Sequence, residues 1–105
     1  MADTVRIGWT TLPSREEADR LAAGAVEAGL AACAQVEGPI RSHYTWEGER
    51  QAEDEWRVAL KHDASRGDDL QAWILSRHPH AVAQWIAVEA AAVAPAYRAW
   101  VLGTR

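Results

Sequence analysis

In the stretch LSRHPHAVAQW, His78 and His80 stand on either side of Pro79. The only cysteine, Cys33, lies far upstream in GLAACAQVEG. A thiolate and two neutral imidazoles suit soft and borderline cations such as copper and zinc. Each residue also has a plainer structural reading. Pro79 stops a helix, and a histidine in the last helical turn favours the helix dipole. Most free cysteines are small buried apolar groups. A lone H-x-H carries fewer donors than a structural zinc site needs, and these two imidazoles converge only if the loop through Pro79 turns sharply. The chain has no G-x-S-x-G elbow and no P-loop. A nucleophilic Cys33–His78 couple would need a cleft and an activated thiol, and a cysteine buried in a strand is poorly placed for that.

These residues are positioned by elements that the sequence pattern makes legible. Val5, Ile7 and Trp9 alternate with polar or small neighbours, so residues 4–10 are predicted as a strand. Ser14 followed by Glu17 is a capping box. Ala18, Leu21, Ala22, Ala25 and Val26 then recur at helical spacing, and Gly29 stops the helix. Residues 30–46 favour extended structure, with Gly38-Pro39 as a bulge or bend inside a long strand. Gly48 centres a turn, and Trp56, Val58, Leu60 and His62 alternate in the returning strand. Ser65 with Asp68 is a second capping pattern. Leu70, Trp73, Ile74 and Arg77 form one helical face, which ends at Pro79. Val82, Gln84, Ile86 and Val88 alternate as a last strand. Pro95 opens a short closing helix whose inner face is Tyr97, Trp100 and Val101. The expected fold is α+β, a ferredoxin-like β-α-β-β-α-β with a long hairpin and a short C-terminal helix.

That order puts both long helices on one side of an antiparallel sheet. The other side has no cover from its own chain, yet the hairpin is apolar on both alternating sets. Such a face must be buried somewhere, and self-association is the economical solution.

With 105 residues the chain fits one domain spanning 1–105. It has six tryptophans and no phenylalanine. Rings that each bury on the order of 200 Å² strain so small an interior, so some are expected between subunits. The net charge is −4 and no Lys/Arg cluster occurs, which argues against nucleic acid as a partner. No apolar run is long enough to span a bilayer, so no membrane partner is expected. One cysteine permits no internal disulfide, and no basic n-region or long apolar stretch marks the start. The expected location is the cytoplasm.

Several stretches together resemble the CutA family of divalent-cation tolerance proteins. GLAACAQVEGPIRSHYTWEGERQAEDEW is similar to that family's segment from "LAAC" through "WEG" to its acidic run. HPHAVAQ resembles its "HPYEVPE", APAYRAW its closing "NP.YL.W", and WTTLPSREEADRLA its opening "TT.P..EEA..LA". The resemblance implies a homotrimer in which hairpin strands extend neighbouring sheets. It also implies a role in tolerance of divalent metals, copper above all, without enzymatic activity. Copper or zinc is then a ligand that the fold does not require.

Carried over residue by residue, the resemblance makes Cys33 and His78 metal ligands, with His80 standing where the family has tyrosine. Two family glutamates correspond to Ala81 and Gln84, and a second proline to Ala83, so the carboxylate charge is missing there. Tyr44, Trp46 and Lys61 match hairpin positions. They read either as a ligand cleft, with aromatic stacking and one positive charge for an anionic metabolite, or as interface packing and a solvated edge lysine. Arg41 reads as pairing across a subunit boundary, and Glu53-Asp54-Glu55 as a solvated strand start. The competing classes are a PII-like sensor trimer with an unidentified signalling partner and a small α+β-barrel monooxygenase.

Overall fold

A computed structural model describes residues 4–103. The elements run β1 (Val5–Leu12), α1 (Arg15–Glu27), β2 (Cys33–Trp46), β3 (Glu49–Asp63), α2 (Gly67–Arg77), β4 (Ile86–Glu89) and α3 (Pro95–Gly103). The sheet order is β2-β3-β1-β4 with every pairing antiparallel. That is the ferredoxin-like arrangement the sequence pattern predicts.

Alternation along the strands separates two faces. Leu12, Val58 and Leu60 face the helices and meet Ala18, Leu21, Ala22 and Ala25 of α1 and Leu70 and Ile74 of α2 in one core. The alanine and leucine positions on one stripe let α1 lie close to the sheet. Val26, the fifth residue assigned to that stripe, is 40% exposed and lies outside the core. Ser14 caps α1 as expected. Its Oγ accepts from the Glu17 amide at 3.1 Å, and its hydroxyl meets the Glu17 carboxylate at 2.8 Å. The second capping pattern does not form. Asp63 instead accepts from the Ser65 amide and caps a single 3₁₀ turn, Ala64–Arg66, and α2 starts with no side-chain cap.

The long hairpin of β2 and β3 closes in a tight turn. Glu47 and Gly48 have φ of 50° and 81°, the two positive values of a turn whose twist matches the strands it joins. The register shifts between Glu37 and Ile40, at the cis Gly38–Pro39 bond, so the predicted bulge is present. The last strand is shorter than its alternation suggests. β4 begins at Ile86, and residues 78–85 form an irregular loop. Trp85 draws that loop down. Its ring lies on the sheet over Gly8, where a Cβ would stand 2.2 Å from the indole.

The second sheet face is covered at one end only. Val101 of α3 packs there with Val5 and Ala32. Tyr97 and Trp100 join this inner face only in part, Tyr97 through the Cys33 thiol. They stack on each other with centroids 5.7 Å apart and remain 39% and 49% exposed. Alongside them run Ile7, Trp9, Cys33, Ala59 and Lys61, with Ile86 (55% exposed) opposite Trp9 and Val88 (45%) opposite Ile7.

Candidate functional site

His78 closes α2. As the residue before a proline it is extended, with φ −76° and ψ 138°. Its ring turns back over the end of β1. Nε2 donates to the Thr11 carbonyl at 2.8 Å, and Nδ1 accepts from the His80 amide at 3.1 Å. A carbonyl can only accept and an amide can only donate, so these partners fix the Nε2–H tautomer. Burial holds the His78 pKa below its ordinary value, and the positive potential of His80 adds to this. The Thr11 carbonyl, Glu17 and Glu55 act the other way.

The sharp turn brings the two imidazoles together, with centroids 5.1 Å apart and ring planes 47° apart. Both nitrogens of His78 are nevertheless engaged. A cation would have to displace one of its hydrogen bonds. His80 is exposed and uses only its backbone amide in this contact.

Cys33 is a free, half-buried thiol on the second sheet face. Its register partner is Lys61, which lies opposite Ile7. Ile7 is four residues along β1 from Thr11, so about 13 Å of strand separates the cysteine from the His78 anchor. One copy of the chain therefore does not unite Cys33 with the two histidines. Among the described residues no group of three or more His, Cys, Asp or Glu side chains could hold a metal ion. Tyr97 of α3 reaches the thiol, and partial burial followed by that neighbour raises the phenol's pKa.

The second residue set also divides. Lys61 hydrogen-bonds Gln35 at the Cys33 end of the sheet. Tyr44 pairs with Gln51, ten residues from Lys61 along β3 and thus about 33 Å away. Tyr44 and Trp46 instead line a cavity of about 710 Å³ between the hairpin and the loop that follows Pro79. Its other walls include Glu53, Glu55, His80 and Gln84. The Tyr44 hydroxyl donates to the Glu53 carboxylate. Arg41 pairs with Asp54 of its own hairpin at 3.0 Å.

Glu53 and Glu55 are thus cavity residues, although their acidic run reads as a solvated strand start. The signal was available. A two-residue turn at Glu47-Gly48 sets the register Tyr44↔Gln51 and Ser42↔Glu53, and alternation then puts both glutamates on the side of Tyr44.

The family model described as CutA1 divalent ion tolerance protein matches residues 6–104. Protein CutA of Mus musculus is 32% identical over 98 residues, which is 93% of this chain and 55% of that protein, so the chain spans about half the length of this relative. The structure of CutA from Synechococcus elongatus superposes with a TM-score of 0.89 at 37% identity, covering 96% of this chain and 90% of that one. The divalent cation tolerance protein Cut A1 from Thermus thermophilus gives 0.91 at 27% identity, covering 94% and 96%. The chain belongs to the CutA1 divalent ion tolerance family.

Proposed function

We propose that this chain, as one domain over 1–105, acts as a non-enzymatic divalent-cation tolerance protein assembled as a homotrimer. The observation that carries the assembly is the uncovered sheet face. Ile86, Val88, Tyr97 and Trp100 are each between 39% and 55% exposed on one surface. Fully burying an aliphatic or aromatic side chain of this size contributes about 1.5–3 kcal/mol, so hiding the group from water strongly favours association. Three copies that lend their hairpins to neighbouring sheets would satisfy that face and the free edges together.

Cation binding rests on the family and on two donors. We assign them as His80, oriented by the His78 ring, and Cys33, which joins it only if another copy supplies the second site. Copper or zinc suits both donors. Neither donor lies in the core, so the fold does not depend on the metal. The lone thiol suits a reducing compartment such as the cytoplasm.

Charging the open face tests the assembly. A Val88→Glu, Trp100→Glu double variant is expected to elute at the single-chain mass in size exclusion, where the parent elutes at about three times 11.5 kDa. Unchanged elution of that variant contradicts the proposed interface. Copper titration followed by tryptophan fluorescence tests the donors. His80→Ala and Cys33→Ala should each lower the quenching, and an unaltered response in the double variant removes both from the site.

A further inference from the structure

We propose that His62 and Trp85 form a proton-operated latch, in which charging the buried imidazole expels the indole and frees the loop of residues 78–85. The indole fills a slot over Gly8 that any Cβ at that position would close. His62 stands one cross-strand row away, opposite Arg6, with its ring centroid 6.3 Å from that of Trp85. Both rings lie on the helix side of the sheet. The latch is therefore built within one copy, away from the face through which copies are proposed to associate.

His62 is 0% exposed. Its Nδ1 donates to the Leu60 carbonyl at 3.0 Å, which fixes the tautomer and leaves Nε2 as a lone pair without a partner among the described residues. Nε2 faces the first turn of α2, 3.8 Å from where a Gly67 Cβ would stand, and Arg6 Nη1 is 2.9 Å from the same point. A proton on Nε2 thus places a charge beside a guanidinium and a helix N-terminus. Burial is the main cause that holds the His62 pKa below its ordinary value, and Arg6 adds to it. The Leu60 carbonyl and Asp63 act the other way. The nearby carboxylates are committed or turned away. Asp63 accepts from the Ser65 amide at 2.9 Å, Glu89 of β4 pairs with Arg6 at 3.5 Å, and Asp68 and Asp69 of α2 are exposed. Arg66 donates to the Gly29 carbonyl, and Lys61 hydrogen-bonds Gln35 from the other face. The core positions of α1 are alanine and leucine.

A buried charged ring without an acceptor must reach water. Its neighbours differ in how firmly they are held. Arg6 is fixed by Glu89, and α2 is fixed by Leu70 and Ile74 in the core. The Trp85 indole makes no hydrogen bond among the described residues, and neither do residues 81–84. Packing alone keeps the indole in its slot, so it is the cover that yields. The far end of the loop stays tied, because the His78 ring holds the Thr11 carbonyl. The latch requires neither a bound metal nor a particular number of copies.

The test is fluorine nuclear magnetic resonance of the intact protein labelled with fluorotryptophan, titrated from about pH 8 to about pH 5. Trp85→Phe identifies the Trp85 signal among the six. That signal is expected to move reversibly toward the position of the free amino acid, with a midpoint below about 6.5. Trp56 and Trp73, which also pack on the core, should hold their positions. His62→Gln keeps a donor for the Leu60 carbonyl but takes up no proton, and should hold the Trp85 signal at its pH 8 position throughout. His78→Gln should leave a transition in place. A fixed Trp85 signal in the parent overturns the proposal. So does movement of Trp56 and Trp73 together with Trp85, which is general acid unfolding. A transition that survives His62→Gln, or that His78→Gln abolishes, overturns it by moving the trigger elsewhere. Should His62→Gln fail to fold, the parent signals alone decide.

Discussion

Two histidines set the chemistry of single residues here, one with both ring nitrogens engaged and one with a single nitrogen engaged. His78 uses both ring nitrogens to tie the Pro79 loop to β1. His78→Ala should lower stability by about 1 kcal/mol, as one part-buried and one exposed hydrogen bond are lost, and a chemical denaturation curve measures it. His62 is fully buried on the helix face. Its Nδ1 donates to the Leu60 carbonyl at 3.0 Å, and its Nε2 has no partner among the described residues. Burial is the main cause that lowers the pKa of both imidazoles, and nearby Arg6 adds to it for His62. The native state thus prefers the neutral ring more than the unfolded chain does. Their contribution to stability is full above the unfolded value of about 6.5 and is lost as pH falls below it toward the lower folded values. Thermal unfolding at about pH 7.5 and about pH 5 should show the lower melting temperature in acid. His62→Gln should reduce that difference. A difference of the same size in the variant would remove His62 as a cause.

At the scale of elements, most of the framework was written in short-range signals. The Ser14 capping box, the alanine stripe of α1, the Glu47-Gly48 turn and Pro79 act within a few residues, and each does what its chemistry dictates. Readings failed where another contact decided the outcome. Alternation from Val82 to Gln84 looked like strand, but Trp85 settling on Gly8 bends the chain before β4 can begin. Ser65 does not cap α2 because Asp63, two residues earlier, accepts from the Ser65 amide and starts a 3₁₀ turn there. The site suffered more. The residue types were legible, but their grouping was not, because strand register separates Cys33 from His78 and Lys61 from Tyr44. Gly8→Ala tests the element scale. The new methyl displaces the indole and should cost about 1–3 kcal/mol, with altered near-ultraviolet circular dichroism as a second sign. A neutral outcome would show that Trp85 does not anchor the loop.

On the scale of the whole molecule, the sheet has one finished face and one unfinished face. The finished side is sealed by α1 and α2, while α3 covers only the Val5 end of the other. Exposed tryptophan, isoleucine and valine on that remainder would drive the proposed association. If folding and assembly are linked, the melting temperature rises with protein concentration, as mass action requires. A melting point that stays constant over a dilution series of about a hundredfold would separate the two processes. The most direct measurement is sedimentation equilibrium of the unmodified protein at micromolar concentration. The account predicts a single species of about three times 11.5 kDa. A stable, monodisperse species at 11.5 kDa under those conditions would contradict it.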